Sequence, residues 1–406
     1  MHGLSAHNAT NGTDADFLWG VNIGGWLILE SWMNKDMFEG TSAVDQWTFD
    51  SRTDRDPLPL LRNHWKTWFT EEDVINIKKW GFNALRIPIG YWAFNTLGAP
   101  YKKDQQQHHL DEAIRWSRTH GLKVWVVHHG VPGSQNGFDN SGHKGSVHWL
   151  DENYQSSINI LSQMASKYGS GNFSDVVVGL ELANEPISWK LDDGTGNEFD
   201  QIKKWTRDAY AAVRKASTNH KLRIIMHDAF KGPSEWTDVG GNINEGTNVK
   251  KAPFGIDTHL YQNQESSDSE LSNEQHIQKA CQYSKTSLLP QSPSQNLPVY
   301  VGEFSFANNI CVWPSGKTAG QNSCNGEPGC QCANEVDPGQ YAPYTRDAVR
   351  KWNEAQYLTY HKHAQGTFVW AYKGPGEWGL KNAMAAGTLP NPISDLSKYK
   401  YPNICG

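Results

Sequence analysis

The sequence predicts an α/β protein built as a single (β/α)8 barrel. Three observations carry the prediction: eight short runs of β-branched and aromatic residues, longer amphipathic runs between them, and polar or aromatic residues crowded just after the short runs. The strands are read at Phe17–Val21, Ala84–Ile87, Lys123–Val127, Val176–Leu182, Arg223–Met226, Gly255–His259, Val299–Gly302 and Thr367–Ala371. The first predicted helix is Glu71–Trp80. Thr70 with Asp73 three residues on gives it a capping-box-like start. Further helices are expected near Asp111–Thr119, Tyr154–Lys167, Ile202–Ser217, Glu274–Ser287 and Thr345–His363. A doubly wound open sheet also fits the alternation, but it normally has fewer strands and often a Gly-rich phosphate turn. Gly24-Gly25 lacks that spacing.

The 406 residues show no composition shift, repeat or low-complexity linker, so one domain over 1–406 is expected. Residues 1–16 form a polar N-terminal tail, and 312–344 read as a cysteine-containing loop insertion. A net charge of −6 with 20% charged residues and no basic cluster argues against a nucleic-acid partner. No run of 18 apolar residues is present, so no membrane span is expected. The polar N-terminus lacks a signal-peptide core and reads as a mature form with an added Met. The chain carries 18 Trp, 15 Tyr and 14 Phe, rings of the kind that stack on the apolar faces of sugars, although most belong to the core.

The six cysteines, Cys281, Cys311, Cys324, Cys330, Cys332 and Cys405, lie in the last third, and Asn-x-Ser/Thr sequons stand at Asn8, Asn11 and Asn172. Together they suggest a secreted, extracellular protein in an oxidising compartment. Cys324 with Cys330-Gln331-Cys332 could instead begin a zinc site, but no His lies nearby and the segment is rich in Gly, Asn and Pro. Disulfides are the expectation, with Cys281 bound to Cys405 and the other four paired within the loop after Glu303.

Two carboxylate motifs dominate the chemistry. Leu182-Ala183-Asn184-Glu185-Pro186 closes one apolar run and Val301-Gly302-Glu303-Phe304 closes another, each placing a glutamate where a strand meets solvent. Strand ends in a parallel barrel point into one mouth, and glycoside hydrolysis requires two carboxyl groups flanking one bond. Asn22, Glu30, Arg86, His128, His129, His259, Tyr261 and Trp370 also fall just after or at the ends of predicted strands. Each has a plain structural reading: Pro186 could mark a helix start, Glu303 could be a buried ion-pair partner, and a lone His or Arg is usually a satisfied structural residue. The convergence of the whole set favours chemistry. His128, His129, His143 and His148 match no familiar ligand spacing, so no metal is expected, and no cofactor either.

Three further stretches carry a family resemblance: Gly20-Val21-Asn22-Ile23-Gly24-Gly25-Trp26-Leu27-Ile28-Leu29-Glu30, Leu85-Arg86-Ile87-Pro88-Ile89-Gly90-Tyr91-Trp92, and His129-Gly130-Val131-Pro132-Gly133-Ser134-Gln135-Asn136-Gly137-Phe138-Asp139-Asn140. With the two glutamate motifs they resemble glycoside hydrolase family 5, and within it the fungal exo-β-1,3-glucanases, from residue 17 to about 390. The resemblance implies a retaining β-glycosidase whose catalytic centre falls on Arg86, His129, Asn184, Glu185, His259, Tyr261, Glu303 and Trp370. Glu303 is then the nucleophile and Glu185 the acid/base. Arg86 and the Tyr261 hydroxyl would lower the Glu303 pKa, and Asn184 would offer its amide to a sugar 2-hydroxyl. Trp370 would supply a stacking floor, while His129 and His259 would hold hydroxyls or the carboxylates. Glu30, Asp139 and Asn140 would bind outer hydroxyls of the non-reducing glucose, and Phe138 would contact the second sugar.

Some residues depart from that pattern. Gln264 stands where the glucanases place a phenylalanine that clamps the second glucose with the Phe138 equivalent, His128 stands where an apolar residue is usual, and the eighth strand reads Trp370-Ala371-Tyr372-Lys373. The departures make a sister activity credible, that of fungal diglycosidases releasing rutinose from flavonoid glycosides. The expected partner is thus a β-glucoside, β-glucan or flavonoid diglycoside, taken by a monomer, with exo-β-1,3-glucosidase preferred. A non-catalytic carbohydrate-binding protein is the reading from another class. Retired sites commonly lose one glutamate, and both are present here.

Overall fold

The computed structural model describes residues 16–288, 296–317, 323–324, 326 and 328–406. The sequons at Asn8 and Asn11, and the polar tail except Asp16, lie outside the described residues. Eight parallel strands close into a barrel: β1 Leu18–Asn22, β2 Ala84–Gly90, β3 Lys123–Gly130, β4 Val177–Glu181, β5 Arg223–His227, β6 Phe254–His259, β7 Val299–Phe304 and β8 Gly366–Val369. Each strand pairs with its sequence neighbours, and β8 closes onto β1. This is the TIM-barrel arrangement.

Helices alternate with the strands: α1 Glu71–Lys79, α2 Gln106–His120, α3 Tyr154–Tyr168, α4 Phe199–Ala216, α5 Thr237–Ile243, α6 Asn273–Gln282, α7 Pro343–His363 and α8 Leu380–Ala386. Thr70 and Asp73 form the expected capping box of α1. Three differences have local causes. α2 begins earlier than predicted because its first turn is polar and gives no apolar period. α6 ends at Gln282 and continues as a 3-10 turn over Tyr283–Lys285, shorter than the predicted Glu274–Ser287. α5 and α8 escaped prediction because both are seven residues long, too short to show a 3.6-residue period.

The barrel interior is layered. Its lower layer holds Ala84, Trp125, Val127, Ile225, Tyr300 and Phe368, with Leu18 against them. The Trp125 ring meets Tyr300 and Phe368 edge-on, at centroid distances of 5.2 and 4.9 Å. Gly20 makes room for this packing: a Cβ there would sit 2.0 Å from the Phe368 ring. The Arg86 guanidinium lies 5.9 Å above the Trp125 ring, so the aromatic layer is the floor on which the charged layer rests.

Two register shifts aim side chains upward. Between β2 and β3, Ile89 pairs with His128 but Gly90 with Gly130; between β6 and β7, Thr258 pairs with Val301 but His259 with Glu303. Each inserts one extra residue and so changes which face the next side chain takes. His129 and Glu303 stand at these two bulges.

The cysteines form Cys281–Cys405, Cys311–Cys332 and Cys324–Cys330. The first ties the C-terminus to the end of α6, and the other two staple the segment between β7 and α7, where a two-strand ladder pairs Cys311 with Cys332. Among the described residues, no helix is long and apolar enough to cross a membrane.

Candidate active site

Arg86, from the middle of β2, organises the upper layer. Its guanidinium is fully buried and spends every donor. Nε and Nη2 bind the two oxygens of Glu181 at 3.0 Å each, Nη1 reaches Asn22 Oδ1 at 2.9 Å and Glu303 Oε1 at 2.7 Å, and Nη2 reaches Asn184 Oδ1 at 2.7 Å. The planar five-donor fork allows this, and a lysine ammonium could not reproduce it. Asn22 donates in turn to Gly302 O at 2.8 Å, which ties β1 to the strand bearing Glu303.

Glu303 accepts on both oxygens, from Arg86 on Oε1 and from the Tyr261 hydroxyl on Oε2, each at 2.7 Å. His259 Nδ1 lies 3.4 Å from Oε2 and His129 Nε2 3.7 Å from Oε1. Burial alone would push the carboxyl up, but the His259 and Arg86 charges outweigh it and hold Glu303 well below the ordinary carboxylate range. The group is therefore ionised at any pH near neutral.

Glu185 follows β4 in a left-handed conformation, φ 46°, with Pro186 next. Such a φ is costly for a glutamate and is sustained by its surroundings. Gln135 donates to the Asn184 and His129 carbonyls at 2.8 and 2.7 Å, and Asn184 N donates to His128 O at 3.2 Å. The Glu185 carboxylate binds His259 Nδ1 through Oε1 and Asn140 Nδ2 through Oε2, both at 2.7 Å. His259 Nδ1 thus neighbours both glutamates, so their facing oxygens are at most about 6 Å apart and both carboxylates face one space.

His259 bonds Asp257 Oδ2 through Nε2 at 3.1 Å. Burial disfavours its charge, but the Glu303 and Asp257 carboxylates overcome that and raise its pKa well above the usual value. Neighbouring His227, with its ring centroid 4.4 Å away, goes the other way: burial and the His259 charge lower it.

These groups floor a cavity of about 620 Å³ whose lining includes Glu30, His129, Phe138, Asp139, Asn140, Tyr261 and Trp370 together with Glu185 and Glu303. Arg86 and His259 are not among its lining residues and act through Glu303 and Glu185, which they bind. Trp370 stacks on His129 at 5.7 Å. His129 Nδ1 bonds Asn140 O at 3.0 Å, which fixes the loop bearing Asp139 and Asn140. Glu30 accepts from Trp32 Nε1 at 2.9 Å, and burial followed by the Asp139 charge pushes its pKa well up. Asn184 Nδ2 is buried with no hydrogen-bond partner among the described residues, leaving a donor for a ligand hydroxyl, and His129 Nε2 is likewise unpartnered. The structure separates His128 from this set: its Nδ1 bonds Leu182 O at 3.1 Å, and burial lowers its pKa to about 4.

Several groups at the site escaped sequence reading. Glu181 closes β4 and Asp257 sits two residues before His259 on β6, so a carboxylate inside an apolar run was the available signal. Trp32, Trp189 and Phe230 line the cavity from loops and Trp378 from a 3-10 turn, and none left a periodic trace.

Glu185, His227 and His259, and likewise Glu181, Asp257 and His259, bring possible metal-donor atoms within 4.8 Å of one another. Both sets depend on His259, whose two ring nitrogens already engage carboxylates, so a metal would have to displace those bonds. Cys311, Cys324 and Cys332, the third such group, are committed to disulfides.

The profile described as cellulase, glycosyl hydrolase family 5, matches residues 49–319. A glucan 1,3-beta-glucosidase of Pichia angusta is 34% identical over 411 aligned positions, which cover 96% of this chain and 89% of that protein. Glucan 1,3-beta-glucosidase I/II of Saccharomyces cerevisiae is 35% identical, with 95% of this chain and 87% of that protein covered. Among solved structures, rutinosidase from Aspergillus niger superposes with a TM-score of 0.72 at 19% identity, over 92% of this chain and 98% of that one. At that identity the likeness is one of fold. With the barrel, the paired glutamates and a profile match over most of its length, the chain belongs to glycoside hydrolase family 5.

Proposed function

We propose that this protein is an exo-acting β-glucosidase of β-1,3-glucan that works by double displacement. The observation that carries the mechanism is the shared contact of Glu185 and Glu303 with His259 Nδ1, at 2.7 and 3.4 Å. Glu303, ionised, attacks the anomeric carbon while Glu185 protonates the leaving oxygen; Glu185 then takes a proton from water as the glycosyl ester is hydrolysed. The Asn184 amide, its oxygen held by Arg86, has donors left for the sugar 2-hydroxyl. Trp370 serves as the sugar floor, and Glu30, Asp139 and Asn140 hold outer hydroxyls. Support for the glucan comes from relatives about 34% identical over nearly the whole chain that are named glucan 1,3-beta-glucosidases.

A second reading, release of rutinose from flavonoid glycosides, is favoured by Gln264 and Glu265 in the cavity wall, where an aromatic side chain at Gln264 would narrow the passage. Assays on laminarin and rutin separate the two. Glucose released from laminarin supports the first; rutin cleaved to free rutinose with laminarin untouched replaces it with the second. Turnover of 4-nitrophenyl β-glucoside that disappears in Glu303→Ala distinguishes an enzyme from a carbohydrate-binding protein.

Secretion is part of the same proposal. It is supported by the three disulfides and the exposed sequon at Asn172. Glycosidase-sensitive mass on Asn172 of the protein from its native host tests it.

A further inference from the structure

We propose that Asp257 is a positioning residue that links the supports of the two glutamates: it holds the backbone before Glu303 with one oxygen and the His259 ring that contacts Glu185 with the other. Asp257 lies on β6, fully buried, and its Oδ1 accepts from Gly302 N at 2.5 Å. Its Oδ2 faces His259 Nε2 at 3.1 Å and Arg86 Nη2 at 3.5 Å. The far side of the same ring, Nδ1, meets Glu185 Oε1 at 2.7 Å. One carboxylate thereby spans the bulge that aims Glu303 and the imidazole beside the acid/base.

Gly302 is explained by the same contact. A Cβ at that position would lie 1.9 Å from Asp257 Oδ2, so the Val301-Gly302-Glu303 motif has its glycine to admit this carboxylate. A carboxylate at Asp257 only accepts hydrogen bonds, so it requires a proton on His259 Nε2, and Nδ1, which lies 3.4 Å from the ionised Glu303 and 2.7 Å from Glu185 Oε1, carries one when that Glu185 oxygen is the carbonyl of the acid. A ring donating from both nitrogens is the cation. The other charges around that ring come from four strands or their ends: Glu181 and Glu185, His227 and Asp228, Glu303, and Arg86.

The link rests on Glu303 and Glu185 being the working pair, and Asp257→Asn tests it. The asparagine oxygen can still accept from Gly302 N, but its NH2 cannot accept from His259, so the ring must present a bare Nε2 and lose its charge. With 4-nitrophenyl β-glucoside, kcat is expected to fall at least about tenfold with little change in KM. The acid limb of kcat/KM should move upward, because Glu303 loses a cationic neighbour. Simple removal of the Asp257 negative charge would move the limb downward, and a packing role would leave it in place. Either result overturns the proposal.

On a His259→Asn background, Asp257→Asn should change kcat no further; full additivity would also overturn it. If Asp257→Asn does not fold, 15N spectra of the wild-type His259 ring decide the matter. Both nitrogens protonated at neutral pH supports the link, and a neutral ring rejects it. Failure of the enzymatic reading is separable, because the wild-type protein would then turn over no β-glucoside while the ring spectra would still report on Asp257.

Discussion

Arg86 Nη1 lies 2.7 Å from Glu303 Oε1, and the guanidinium making that contact has no exposed surface. Its remaining donors are committed to Glu181, Asn22 and Asn184, so one side chain sets the position of Glu303 and of the Asn184 amide beside Glu185. Arg86→Lys keeps the charge and loses the fork. We expect kcat/KM to fall by about 100-fold or more, comparable to losing a preorganised donor elsewhere. Steady-state kinetics on 4-nitrophenyl β-glucoside check it.

The two glutamates should be distinguishable by rescue. Glu303→Ala leaves a space on the face opposite the leaving group, so added azide should yield the α-glucosyl azide. Glu185→Ala still forms the glycosyl ester with a good leaving group, and azide should then yield the β-glucosyl azide. Without azide, Glu185→Ala should lose about 100- to 10,000-fold on poor leaving groups and far less on dinitrophenyl glucosides. Product anomers read by NMR settle the assignment, and exchanged anomers would exchange the roles.

The depressed Glu303 carboxyl fixes the acid side of the pH profile. Its ordinary value is 4.5, and in the fold it is held lower, so the acid limb of kcat/KM should lie below that value. His259→Asn removes the largest of the attracting charges, and the limb should rise. Stability follows the same signs. Glu303 contributes stability that is present above 4.5 and is lost as pH falls through its lower folded value. His259, raised above 6.5, contributes stability that is complete below 6.5 and is lost as pH climbs through its higher folded value. Denaturant midpoints of wild type and His259→Asn across pH measure both.

Gly302→Ala puts a methyl group into the Asp257 carboxylate. The overlap is with the end of a side chain held by Arg86, His259 and the Gly302 amide, so it cannot swing away without breaking those bonds. We expect a loss of about 1–3 kcal/mol in stability and a larger fractional loss in activity. Thermal unfolding with parallel kinetics checks the pair, and an active, unshifted variant would show that the carboxylate yields.

The disulfides should differ in weight. Cys281–Cys405 closes 124 residues and Cys324–Cys330 closes 6. Loop-closure entropy grows with length, so serine replacement of the first pair should cost about 4–5 kcal/mol and that of the second about half as much. Chemical denaturation of the two double variants compares them.

The sequence by itself determined the barrel and its two glutamates. Strand-length runs of β-branched residues and amphipathic helices leave local periodic patterns, and Asn184-Glu185-Pro186 and Val301-Gly302-Glu303 stand where those patterns break. It also marked His129, His259, Tyr261 and Trp370, since a polar or aromatic residue near a barrel strand end can be read from position alone, and Arg86 as a charge within an apolar strand. Only the tertiary structure decided which of these meet. His128 and His129 are equivalent in sequence, and the bulge after Ile89 sends one to the Leu182 carbonyl and the other to the Trp370 face. Glu181 and Asp257 were hidden because a buried carboxylate is worth keeping only when its partners arrive from other strands, and the contacts Arg86–Glu181 and Asp257–Gly302 exist only once the sheet has closed.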